Sequence, residues 1–223
     1  MDFERARFNM IEQQIRPWRV LDPAVLESHL QLRREDFVPA SMRQLAFSDV
    51  EIPLHLDGVD TGQCMLAPKV DARLVQALEI KRGESVLEIG TGSGWMAALL
   101  ATRAIRVVSL EIHAGLANFA RNNLKQAGLH QVEVINADGS KPSASTLADW
   151  DVIVLSGSLE ELPSSLLTRL KPGGRLIAVV GRRPVMEAQC FTKSTNGAIH
   201  TENLFETIAP PLLGFVKPSH FRL

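Results

Sequence analysis

Beyond about residue 82 the chain alternates short apolar runs with longer amphipathic stretches. The runs at 85–89, 106–110, 132–136, 151–155 and 175–180 are rich in Val, Ile and Leu, the pattern of strands covered on both faces. Between them, 94–102, 113–127 and 163–170 read as helices, with Gly128 as a C-cap of the second. Strands alternating with helices predict a mostly parallel, doubly wound α/β sheet of Rossmann-like type. Its right-handed crossovers would put a ligand at the carboxyl ends of the strands, where the strand order switches. Residues 187–192, 199–205 and the tail from Thr207 are candidates for antiparallel edge strands.

The part before that sheet has a different rhythm. Residues 3–15 predict a helix ended by Pro17, Asp22-Pro23 opens another by N-cap and N1 proline, and Pro39 opens a short one through Leu45. Residues 47–67 hold Pro53, Gly58 and Gly62 without a sustained period, which reads as a long loop. Pro68 then starts a helix whose Val70, Leu74 and Leu78 fall on one face. The expectation is a single domain over 1–223, with an N-terminal helical extension and loop in 1–80 and an α/β core in 81–223.

Composition narrows the function classes. The chain has 223 residues, 45% of them hydrophobic, 22% charged, and a formal net charge of −1. That is an ordinary globular composition, and with Lys and Arg scattered it carries no nucleic-acid footprint. The charged start and the lack of a long apolar stretch predict a cytoplasmic protein with no export signal or membrane span. Cys64 and Cys190 are far apart and the six histidines are dispersed, so neither a disulfide framework nor a metal site is expected.

The chemistry concentrates where the first core strand ends, in Val86-Leu87-Glu88-Ile89-Gly90-Thr91-Gly92-Ser93-Gly94. Glycines at alternate positions let a ligand approach the backbone closely. The dinucleotide fingerprint wants a third glycine where bulky Trp95 stands, and no Gly-Lys-Ser/Thr ends the segment, so neither a dinucleotide nor a Walker-type phosphate site fits. Glu111 ends the next strand, where a carboxylate can accept both ribose hydroxyls. Asp138-Gly139 ends the one after, within reach of an adenine amino group, and Ser156-Gly157-Ser158 closes the fourth. One acid of this kind is usually a solvated strand end; acids at successive strand ends fit one nucleoside-like ligand. Glu88, inside an apolar strand, must meet backbone N–H groups or a cation, either as a ligand contact or as a structural tie for the loop.

With these residues in place the chain resembles the protein-L-isoaspartate O-methyltransferase family over most of its length. The likeness runs through Asp36-Phe37-Val38-Pro39, Leu45-Ala46-Phe47, Ile52-Pro53-Leu54, Gly62-Gln63 with Pro68, the loop from Glu88 to Gly94, Glu111, Asp138-Gly139-Ser140 and Leu170-Lys171-Pro172-Gly173-Gly174-Arg175-Leu176. The resemblance implies the S-adenosylmethionine (SAM)-dependent methyltransferase fold and a SAM site lined by Glu88, Gly90, Thr91, Gly92, Ser93, Gly94, Glu111, Ile112, Asp138 and Gly139, with Ile112 on the adenine face. It also implies a peptide or protein carboxylate as methyl acceptor.

The chain departs from that pattern in the family's substrate loop, which reads Gly-Gln-Thr-Ile-Ser before a variable residue and proline. Here Gly62-Gln63-Cys64-Met65-Leu66-Ala67-Pro68 puts Leu66 at the serine and Cys64 at the threonine. The alternative expectation is therefore a SAM-binding member with lost or retargeted activity. Methyl transfer from a sulfonium is an in-line displacement needing alignment more than acid–base help. A carboxylate acceptor, ionised at neutral pH, needs no general base, and the sequence singles out no catalytic residue.

Overall fold

A computed structural model describes residues 2–56 and 58–216; His220 and the last stretch of the tail lie outside the described residues. Asp2 caps α1 (Phe3–Met10) by accepting from the Arg5 N–H. The helix does not stop before Pro17. It widens into a π turn (Ile11–Ile15) and tightens into a 3-10 turn (Arg16–Trp18) that takes Pro17 in its first positions, where a missing N–H costs nothing. Asp22 caps α2 (Pro23–Gln31) as its side chain accepts from the Ala24 N–H.

The expected long loop is instead an antiparallel hairpin of β1 (Ile52–Leu56) and β2 (Val59–Met65). Ile52 and Leu54 are buried and alternate with exposed residues, a period of two that Pro53 disguises. Pro53 is tolerated because β1 pairs on one side only, and the register shifts between Pro53 and His55. The hairpin leads into α3 (Pro68–Leu78), which buries Val70, Leu74 and Leu78 as expected and Asp71 with them.

The core elements follow in chain order: β3 (Ser85–Ile89), α4 (Trp95–Ala101), β4 (Arg106–Glu111), α5 (Ala114–Gln126), β5 (Val132–Asn136), α6 (Ala144–Leu147), β6 (Trp150–Leu159), α7 (Ser164–Thr168), β7 (Leu170–Arg182), β8 (Val185–Lys193) and β9 (Ile199–Glu206). The sheet order is β5-β4-β3-β6-β7-β8-β9, parallel through β7 and antiparallel for the last two strands. The predicted doubly wound sheet is thus observed, with its switch at β3, which has β4 on one side and β6 on the other. Alternate residues feed two cores: Val86, Val107, Val152 and Ile177 face one, and Leu87, Val108, Ile153 and Leu176 the other.

Two expectations about the later chain are corrected. Ser156-Gly157-Ser158 does not close a strand but lies inside β6, which runs on to Leu159 beside β7 after a register shift. The tail from Thr207 forms no antiparallel edge strand among the described residues. It crosses the end of β6 instead: the Ser158 N–H donates to the Pro210 carbonyl at 2.8 Å, and the Leu212 N–H returns to the Ser158 carbonyl at 2.9 Å. The paired prolines leave no N–H groups at 210 and 211 for a regular ladder. No helix among the described residues is long and apolar enough to cross a membrane.

Candidate functional site

The switch point opens into a cleft of about 730 Å³, its mouth included. Its floor is the turn after β3. Gly90 takes φ +96°, a backbone shape that favours glycine, and a Cβ there would lie 2.7 Å from the end of the Leu212 side chain, which would have to shift. The Gly90 and Thr91 N–H groups donate to the Leu110 carbonyl at the end of β4, at 2.8 and 3.3 Å. The turn is thereby pinned to the neighbouring strand.

Glu111, the last residue of β4, is buried at the wall of this cleft. Its Oε2 accepts from the Gly92 N–H at 2.8 Å and its Oε1 from the His113 N–H at 2.9 Å. Two fixed amides orient the carboxylate, and each oxygen keeps a lone pair for a further donor. Ile112 lines the cleft more than a third exposed, and His113 lines it with a buried Nε2 that has no hydrogen-bond partner among the described residues. Gly139 lines it too, but the Asp138 carboxylate turns to the Ser140 N–H and Oγ at 3.0 and 2.6 Å and to Lys141 at 3.2 Å. The Ser140 hydroxyl, with Lys141, holds that carboxyl below the usual range.

Glu88 is fully buried in β3. Its protein partners are hydroxyls and not the loop amides of the structural-tie reading: Ser109 Oγ donates to Oε2 at 2.5 Å and Ser156 Oγ to Oε1 at 2.7 Å. The parallel register makes this possible, because Ser109 sits directly opposite Glu88 on β4. Thr91 Oγ1 meets Ser109 Oγ at 2.5 Å, extending the chain of hydroxyls into the glycine turn. Burial pushes the Glu88 carboxyl up to about 8, against the pull of the two serines.

The facing wall comes from the hairpin and α3: Gln63, Cys64, Met65, Leu66 and Asp71. Arg34, fully buried, ties this wall together. Its Nη2 donates to the Leu66 carbonyl at 2.6 Å, its Nε to the Ala46 carbonyl at 3.0 Å and its Nη1 to Asp71 Oδ2 at 2.9 Å, while the guanidinium lies 5.1 Å from the Trp95 ring. Burial raises the Asp71 carboxyl to about 6, with Arg34 pulling it back down. Burial likewise pushes the Cys64 thiol up to about 12, so this thiol is no ready nucleophile. His55 points away, towards Asp60 at 3.5 Å.

Of the residues singled out from the sequence, Gly90, Thr91, Gly92, Ser93, Glu111, Ile112 and Gly139 line one cleft. Glu88 stands behind it through Ser156, Gly94 supports it as the N-cap of α4, and Asp138 borders it. Asp71, Trp95 and Leu212 also line it and were missed. Asp71 had a signal, since an acid three residues before Leu74 shares the buried face of α3. Leu212 had none, being brought in from the far end of the chain.

The match to known proteins is extensive. Residues 5–215 match the family model described as protein-L-isoaspartate(D-aspartate) O-methyltransferase. The protein-L-isoaspartate O-methyltransferase of Methanoculleus marisnigri is 37% identical over 210 residues, spanning 94% of this chain and 92% of that one. That of Koribacter versatilis is 34% identical over 212 residues, or 95% and 92%. In three dimensions a protein-L-isoaspartate O-methyltransferase superposes with a TM-score of 0.78 at 23% identity, covering 93% of this chain and 66% of the other. A Plasmodium falciparum structure of the same description, in complex with S-adenosyl-L-homocysteine, gives 0.75 at 21% identity, with 95% and 98% covered. These two likenesses bear on the fold.

Proposed function

Because the chain belongs to the protein-L-isoaspartate(D-aspartate) O-methyltransferase family, whose methyl donor is SAM, we propose that the cleft holds SAM along β3 and β4 and methylates a carboxylate of a peptide or protein. The observation that carries this reading is the meeting of two walls in one cleft: the glycine turn with Glu111 on one side and the hairpin wall from Gln63 to Leu66 on the other.

The residues fit the cofactor. Glu111, held by two amides, has lone pairs for ribose hydroxyls, and the exposed face of Ile112 offers apolar surface to an adenine. Gly90 and Gly92 let the methionyl part lie against backbone. Glu88 with Ser156 supplies a desolvated carboxyl that gains from a nearby ammonium. Asp138 and Gly139 border the adenine end. SAM brings the electrophilic methyl group; the chain aligns the acceptor and excludes water. We assign residues 1–80 to the acceptor side and 81–223 to the cofactor side of a single domain.

An ionised acceptor carboxylate attacks without losing a proton, so no general base is assigned. The test has two arms. Calorimetry should show one S-adenosylhomocysteine per chain; no binding would reject the reading. Radiolabelled methyl transfer to an isoaspartyl peptide then tests the acceptor, and its failure with the cofactor bound would leave a retargeted or non-catalytic member. Buried Leu66, which brings no hydroxyl to the acceptor wall, is the observation that favours this second reading.

A further inference from the structure

The acceptor wall contains a carboxylate that nothing above employs. Asp71 is buried in the first turn of α3 and lines the cleft. Arg34 engages only its Oδ2; Oδ1 has no hydrogen bond among the described residues, and it is not one of the sealed, unpartnered polar atoms of the interior. The residue that carries it lines the cleft. Beside it stands Trp95, whose buried Nε1 has no geometric hydrogen-bond partner among the described residues and which, with Arg34, pulls the Asp71 carboxyl down against burial.

A buried acceptor oxygen left open on the wall of a ligand cleft is costly unless the ligand supplies a donor. Arg34, hidden behind Asp71, offsets the negative charge that would otherwise repel an anionic acceptor. What remains is local and directional: a lone pair on Oδ1 next to the backbone of Leu66.

We propose that Asp71 Oδ1 accepts a hydrogen bond from a backbone N–H beside the acceptor carboxylate, making Asp71 a specificity-determining residue that selects peptide carboxylates over free acids. This rests on the carboxylate-acceptor reading above. An isoaspartyl unit offers such donors on both sides, its own N–H and that of the residue joined through its side chain, whereas a simple carboxylic acid offers none.

The experiment compares methylation of an isoaspartyl peptide with that of two analogues, each N-methylated at one of these positions, by the full chain and by Asp71→Asn. Asn can still accept from Arg34. The expected result is that one analogue loses about tenfold or more in kcat/KM on the wild type, the scale of a hydrogen bond to a charged group. Asp71→Asn should lose a similar factor on the parent peptide, show no further loss with that analogue, and bind S-adenosylhomocysteine within about twofold of wild type, as expected for one shared contact. Losses that multiply independently would overturn the proposal, as would a variant that weakens cofactor and acceptor alike. If Asp71→Asn does not fold, the wild-type comparison decides alone: less than twofold loss for both analogues also overturns it. A wild type that binds S-adenosylhomocysteine yet methylates none of the peptides would remove the carboxylate reading and this proposal together.

Discussion

Ser156 donates its hydroxyl to Glu88 Oε1 at 2.7 Å across neighbouring parallel strands, joining two residues 68 positions apart behind the glycine turn. With Ser109 on the other oxygen, Glu88 is satisfied yet desolvated, and that combination sets a measurable pH dependence.

Burial raises the Glu88 carboxyl from 4.5 to about 8, so the folded chain retains a proton that the unfolded chain loses above about 4.5. Folding stability without cofactor should therefore fall as pH rises across that window and level off above about 8. Glu88→Gln should flatten this slope and raise the melting temperature at the alkaline end, while weakening S-adenosylhomocysteine. Thermal unfolding of both proteins across the window checks it; parallel curves would show that another group sets the slope.

Glu111 fixes the Gly92 and His113 amides and has lone pairs left for a ligand. Glu111→Gln turns one acceptor into a donor that opposes an amide N–H. Calorimetry should show S-adenosylhomocysteine binding weakened by about 1.5–3 kcal/mol, the scale of a hydrogen bond to a charged group.

Gly90→Ala meets two obstacles: a φ of +96° and the Leu212 side chain at 2.7 Å. The backbone part should cost about 1–3 kcal/mol, or about 2–4 °C of melting temperature per kcal/mol in a domain of this size. Adding Leu212→Ala should recover the steric part but not the backbone part. Full recovery would mean that the glycine is needed only for space.

Leu66→Ser exchanges buried apolar volume for a hydroxyl on the hairpin wall of the cleft. Stability should fall by about 2–5 kcal/mol, as for other large-to-small core changes. The kcat/KM for an isoaspartyl peptide should rise about tenfold, the scale of one gained hydrogen bond to a charged group. A stable variant without that gain would mean that other groups on the wall already position the acceptor.

By itself the sequence determined the alternation of strands and helices and the glycine turn, because buried parallel strands and positive-φ turns restrict residue choice locally. It marked Glu111 and the Gly62 to Pro68 departure for the same reason: both sit beside a recognisable element. It did not disclose the β1–β2 hairpin, whose period of two at Ile52 and Leu54 is interrupted by Pro53. Nor did it disclose that Glu88 rests on Ser109 and Ser156, which depends on inter-strand register, or that Leu212 reaches Gly90 from the end of the chain. The Arg34–Asp71–Trp95 cluster likewise joins three separate segments. Such contacts are decided only when distant parts of the chain pack together, since the partner that satisfies a buried polar group is chosen by space and not by spacing.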